Sequence, residues 1–478
     1  MRGFTVSLLM LMGTFPALIS GQLADKHGRL HVTMVGVTLF VVGAVLQGAA
    51  HRMPMFLVGR ALCGLGEGTW LSCVSVYITE IAPSSRRGTL VSLPQLNACV
   101  GVCVGYFTCY GSIRINSSMS WRMPFVVEGV IALFLAISCF FLPESPRWLL
   151  LNGKRDAAIR ELDRLDFSRV EAEKDLLGPA AEQAIAARLS TMEGFLIMFR
   201  RRYRSRTILA LFVLGMVQLC GIDGVLYYAP TLFAQAGLPP QSASFLASGL
   251  SAILMLAISI PATLFSDRVP CRTVALVGGT LLAACMLIIG SLYAVDSVHT
   301  YGAGRWVVIV LIFAFALTYV STWGMVGKIY ASEIQPSVTR SSASALAQGL
   351  GFFTNFLVAI TTPIFLANSS FGAYFLFGGL TLGTVVVLGA CMPETRGLSL
   401  EAIQDAFRGS IVKKFSLAGS VRRWLGLNSD AVSMRSSASS GHERIAESEG
   451  VEMSGGLRDS EATGIFTLPA VVPAIVVT

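Results

Sequence analysis

Eleven apolar runs occupy most of the chain up to position 392, each close to the roughly 20 residues that a membrane-spanning helix needs. They cover 4–23, 30–50, 55–81, 89–111 and 123–142, then about 208–229, 243–265, 273–294, 306–331, 341–366 and 372–392. In lipid every backbone N–H and C=O must be satisfied internally, so runs of this length are helices. The composition agrees: 54% of the 478 residues are hydrophobic and only 13% charged, against nearer 25% charged in a soluble domain. The expected fold class is therefore an all-α integral membrane bundle. Nine of the ten cysteines lie inside apolar runs, where they act as small hydrophobes and not as a disulfide framework.

One stretch is written twice. Residues from Arg60 to Gly88 contain a glycine-rich apolar run that ends in Tyr77, Glu80, Pro83 and Arg87, and the run around Thr322 ends in Tyr330, Glu333, Pro336 and Arg340. Subtracting 80 from 333, or 87 from 340, gives the same offset of 253. A repeat that long is not a solenoid unit; it marks two homologous halves, a pattern found in secondary transporters.

The boundaries follow. Residues 1–142 hold five spans, 143–206 a polar connector with short helices, 207–407 six spans, and 408–478 a Ser/Gly/Glu-rich tail with too little apolar content to fold. Lys26, Arg29, Arg86, the connector, Arg268 and Arg272 fall in loops on one side, which the positive-inside rule makes cytoplasmic together with the tail. The formal charge of +8 is thus spread over loops, and no basic recognition motif points to nucleic acid. The GLGEG motif lies within an apolar helix, not after a strand, so its glycines serve helix packing and not nucleotide binding. No catalytic, metal or cofactor signature is present, and none of these is expected.

Two sets of charges remain. Asp25 and Arg29, Glu80 and Arg87, and Glu144 and Arg147 in the first half are echoed by Asp267 and Arg272, Glu333 and Arg340, and Glu394 and Arg396 in the second. Carboxylate–guanidinium pairs at helix ends form a candidate cytoplasmic gate. The second set, Arg60, Glu67, Asp223 and Lys328, lies within spans, where each lone charge costs about 2.5–3.5 kcal/mol. These groups must face water or one another, which argues for a polar cavity. Asp223 and Tyr227 share a helix face, whereas Gln218 points about 140° away from Asp223 on a regular helix. A break at Gly221 or Gly224 lets Gln218, Asp223 and the tyrosine hydroxyls converge.

The motifs resemble those of the sugar porter branch of the major facilitator superfamily, most closely its fungal hexose and polyol transporters. The residues that carry the resemblance are Asp25, Gly28 and Arg29; Arg60 with Gly64, Gly66 and Gly68; and YITEIAPSSRRG. Farther on come Trp121 with Arg122, PESPRWL from Pro143, QLCGIDGVLYYAP from Gln218, and PETRG from Pro393. The resemblance implies two pseudo-symmetric halves, twelve spans, a central site and alternating access. It also implies that the first helix of the family is missing here, with Met1 where the second begins, either through a truncated gene model or because the protein is unusual. By resemblance Gln95, Gln218, Tyr227, Tyr228 and Asn355 are substrate contacts, and amides and phenols suit hydroxyl recognition.

Departures sharpen the expectation. Asp223 stands where the family has Asn, Val217 where it has Gln, and Lys328 where it has a Trp near the sugar. Asp223 and Lys328 either neutralise one another, the preferred reading, or Lys328 holds the carboxylate of a sugar acid or quinate-like ring. Asp223 and Glu67, with Arg60, are the candidates for proton coupling. The expected protein is a monomeric multi-pass plasma-membrane carrier in the lipid bilayer that moves a small-molecule sugar or polyol by alternating access with proton symport. A non-transporting nutrient sensor or a truncated inactive carrier are the alternatives.

Overall fold

The computed structural model describes residues 2–83, 87–165, 193, 196–200, 203–236, 243–266, 269–298, 302–335, 337–369 and 371–393. Within the compact unit Met1–Lys413, the helices of the first half are α1 (Arg2–His27), α2 (Arg29–Gly48), α3 (Met53–Ile81), α4 (Arg87–Ser112) and α5 (Met119–Ser138). Two short helices follow, α6 (Pro146–Leu151) and α7 (Arg155–Arg164). The second half comprises α8 (Arg204–Leu219), α9 (Ile222–Tyr227), α10 (Ala229–Gln235), α11 (Ala243–Phe265) and α12 (Cys271–Ala294). It continues with α13 (Ala303–Ser321), α14 (Trp323–Glu333), α15 (Ser337–Asn368) and α16 (Gly372–Cys391). Eleven candidate membrane spans result among the described residues, with α8–α9 and α13–α14 each forming one interrupted span. The fold class is as the apolar runs imply, an all-helical membrane bundle.

Glycine sets the packing of the first half. A Cβ at Gly66 of α3 would lie 2.6 Å from both the Gly36 carbonyl oxygen and the Phe40 amide nitrogen of α2, and one at Gly43 would lie 2.6 Å from the Cys63 nitrogen. Gly64 and Gly68, on another face of α3, press equally closely on the backbone of α1 at Leu9 and Gly13. Thus α3 is seated against two neighbours by the GLGEG motif, a small-residue contact of the kind that joins helices in lipid. Gly66→Val would lower stability by about 3 kcal/mol, since neither contacting backbone can yield, and a thermal melt of the purified protein would show it.

Two spans of the second half are interrupted. At Gly221 the backbone takes φ +89, in the left-handed region, between α8 and α9. A Cβ there would lie 2.7 Å from the Phe377 ring, so both space and conformation call for glycine. At Thr322, with φ −126 and ψ −85, α13 gives way to α14. This break has no glycine at its centre. The Thr322 hydroxyl turns back to the Thr318 carbonyl at 2.6 Å, and the Trp323 indole donates to the Ala275 carbonyl of α12 at 2.8 Å. The residues at offset 253, Thr69 and Trp70, lie inside an unbroken α3.

Other parts of the duplication survive as geometry. The Tyr77 hydroxyl donates to the Pro143 carbonyl at 2.7 Å, and Tyr330 reaches Pro393 in the same way at 3.4 Å. The halves meet along α1 and α15, where Gly21 leaves room for Ser341 and Ala345, Gly13 for Phe352, and Gly3 for Pro363, and along α4 and α11, where Gly249 lies against Tyr106.

Candidate functional site

Between the halves lies a cavity of about 360 Å³ lined by both. The first half contributes Glu67 from α3 and Gln95 from α4; the second contributes Gln218, Asp223, Tyr227, Tyr319, Lys328, Gln348 and Asn355, among apolar side chains such as Trp323 and Phe352. The volume is at the small end of the roughly 300–1,000 Å³ range of small-molecule sites.

The Gly221 break brings Gln218 and Asp223 together across the helix interruption. Gln218 Nε2 donates to Asp223 Oδ2 at 3.1 Å, while the Tyr319 hydroxyl donates to Gln218 Oε1 at 3.0 Å and fixes that amide. From the opposite wall Gln95 Oε1 accepts from Lys328 Nζ at 3.1 Å. Asp223 and Lys328 attract one another, yet they form no direct ion pair among the described residues. Each is instead hydrogen-bonded to a glutamine. Asn355 is buried on α15 beside the Tyr227 hydroxyl, and its Oδ1 is buried without a hydrogen-bond partner among the described residues.

Two residues anticipated at the site lie elsewhere. Tyr228 is not part of the cavity lining; its hydroxyl donates to the Ala359 carbonyl at 3.0 Å, so it ties α9 to α15. Arg60 also stands off the cavity, its guanidinium 5.7 Å and 5.9 Å from the centroids of the Phe56 and Phe125 rings. It sits in the field of two carboxylates, Glu67 and Glu128. Glu128, in the middle of α5, belongs with the intramembrane charges and carries the same signal, a lone carboxyl in an apolar run. Tyr319 and Gln348 carried no such signal, because tyrosine and glutamine are unexceptional in a spanning helix.

At the end of the bundle bearing the α1–α2 loop, Arg29 is held bidentately by Glu80, with Nε to Oε2 at 3.2 Å and Nη2 to Oε1 at 3.0 Å, and it also pairs with Asp25. Gly28, at φ +101, makes the tight turn that allows this and lies against His31 and Trp148. Ser145 caps α6 by accepting from the Trp148 amide and donates its hydroxyl to Glu80 at 2.5 Å. Trp148 Nε1 in turn holds the Asp25 carbonyl, and Arg147 is electrostatically linked to Glu80.

Glu144 faces His31 at 3.6 Å. Burial pushes its carboxyl above the ordinary glutamate range, while His31 pulls the other way. These ion pairs lie within the first half. Among the described residues one polar link across to the second is Ser341, which donates to the Gly21 carbonyl at 2.8 Å and also reaches Asp25. Arg272 reaches the Gly389 carbonyl at 2.8 Å and Arg340 the Gln335 carbonyl at 3.2 Å. The side chains of Arg87 and Glu333, all of Asp267, Glu394 and Arg396, and the proposed tail lie outside the described residues.

Comparison with known proteins supplies the family. The chain is 32% identical over 411 residues to the MFS-type transporter criB of Aspergillus cristatus, covering 85% of this chain and 84% of that one. It is 29% identical over 435 residues to a high-affinity glucose transporter of Kluyveromyces lactis, with 86% and 78% coverage. Among solved structures, the E. coli proton:xylose symporter XylE bound to 6-bromo-6-deoxy-D-glucose superposes with a TM-score of 0.72 at 22% identity, over 84% of this chain and 88% of that one. The family profile described as "Sugar (and other) transporter" matches residues 1–407. With two related halves enclosing a polar cavity, this chain belongs to the sugar (and other) transporter family.

Proposed function

We propose that the protein carries a sugar or polyol across the plasma membrane by alternating access, coupled to a proton, with the connector and tail in the cytoplasm. The observation that carries this reading is the convergence of Gln95, Gln218, Tyr227 and Asn355 on one cavity between the halves. Amides and phenols offer donors and acceptors to hydroxyls without fixed charge, and the unpartnered Asn355 Oδ1 awaits a donor such as a substrate hydroxyl. Alternating access asks that the seams between the halves, α1–α15 and α4–α11, part at one end while the cavity persists. The Asp25–Arg29–Glu80–Ser145 cluster keeps the first-half end rigid, and Ser341 is one of the contacts across the seam that must release.

Asp223 is the preferred proton carrier, since it sits in the cavity wall facing Lys328; Glu67, with Arg60 and Glu128 behind it, is the second acid. The test is uptake of labelled D-glucose into proteoliposomes of the full chain under an imposed inward proton gradient. Accumulation collapses with a protonophore, and Asp223→Asn loses about 10-fold or more of the gradient-driven accumulation while keeping exchange. Uptake unchanged by collapsing the gradient would leave a facilitator without proton coupling.

A further inference from the structure

We infer that the cavity is built for a polyhydroxylated carboxylate, a sugar acid or hydroxylated ring acid, whose carboxylate docks on Lys328 while an accompanying proton sits on Asp223. This rests on the transport reading above and narrows its substrate class. Lys328 projects from α14 into the cavity, and its one hydrogen bond among the described residues is to Gln95 Oε1. An ammonium has three donors, so two remain for a ligand. The opposite charge, Asp223, is hydrogen-bonded to Gln218 and looks at Lys328 across the cavity without touching it. A neutral sugar would leave that cation in the membrane interior with only the Gln95 oxygen and a carboxylate that it does not touch. A carboxylate would give it charge-assisted hydrogen bonds. The ligand's hydroxyls would then meet Asn355, Gln348 and Tyr227.

Charge balance links the two sites. In the empty cavity Lys328 and Asp223 cancel. A proton added to an Asp223 oxygen leaves the ammonium uncompensated, and the substrate carboxylate restores neutrality. On the other face both leave, the proton from Asp223 and the carboxylate from Lys328, so one proton and one anion cross with no net charge. Groups facing Asp223 are Lys328, Cys220, Tyr227 and Tyr319, and Cys99 also faces Lys328. Glu67 lies within the field of Tyr227 and is the rival proton site.

The probes are D-glucuronate and D-glucose, which differ in carrying a carboxylate or a hydroxymethyl at one carbon. Half-saturating concentrations are read from ligand-induced thermal stabilisation of the purified full-length chain, and exchange from counterflow in proteoliposomes. Wild type should bind glucuronate about 10-fold more tightly than glucose, Lys328→Gln should erase that ratio, and Lys328→Arg should keep it. Glucuronate binding should tighten as pH falls from weakly alkaline to weakly acidic, and become flat in Asp223→Asn. The inference is overturned if wild type binds neither probe, or glucose as well as glucuronate, or if the preference survives Lys328→Gln. A pH dependence that persists in Asp223→Asn but vanishes in Glu67→Gln overturns the proton assignment. Preferential glucuronate binding without counterflow would remove the transport reading and keep the site; glucose exchange without acid preference would do the reverse.

Discussion

Glu80→Gln destabilises the purified protein by about 3–5 kcal/mol, the cost of breaking a buried ion pair by removing one partner. Both side chains are only 3% exposed, so the Arg29 guanidinium loses its bidentate acceptor where little solvent can replace it. Ser145 loses its charged acceptor at the same time, which loosens the start of α6. The partner test is Arg29→Met combined with Glu80→Met. Removing both charges takes away the uncompensated ion, so the double variant recovers part of the loss, helped by the position of Asp25, whose side chain is 39% exposed and can be solvated. Thermal midpoints of wild type, both single variants and the double decide it. Strictly additive losses would show that the pair does not act as a unit.

Gly221→Val abolishes transport and lowers stability by a similar amount, about 3 kcal/mol or more. Two effects add. A β-branched residue is strained at φ +89, and its Cβ would enter the Phe377 ring. Phe377→Ala relieves the second effect and not the first, so the double variant regains stability in part while uptake stays low. The uptake loss follows from position, because Gly221 sets the register between Gln218 and Asp223. Full recovery of uptake on adding Phe377→Ala would show that the ring clash alone mattered and the backbone turn did not.

Much of the architecture is legible in the chain because lipid leaves few choices. Apolar length gives eleven spans, and the offset of 253 gives the halves. The Gly221 interruption is readable too, since glycines at 221 and 224 flank an acid that cannot otherwise meet Gln218. The Thr322 interruption is not. Its setting is tertiary: Gly278 of α12 leaves room for Thr322 and Gly279 for the Trp323 ring, whose indole is anchored to the Ala275 carbonyl. The paired charges show the same division. That Arg29 and Glu80 must be neutralised follows from burial, but residues 51 positions apart carry no sign of being each other's partner. The Gln95–Lys328 contact, 233 positions apart, could be found only in three dimensions. Tyr228 is the converse case: next to the site in sequence, it is the single residue between α9 and α10, and its hydroxyl goes to the Ala359 carbonyl of α15.

The unequal interruption of the two halves has a mechanical outcome. Helices α1, α2 and α3 touch backbone to backbone and cannot slide without collision, so they respond to load as one stiff block. The second half contains two joints, at Gly221 and Thr322, both at the wall where cargo would be gripped. Compliance is therefore lopsided. The breaks thus concentrate on one side of the cavity, and the closely packed block opposite is the fixed reference against which they would bend.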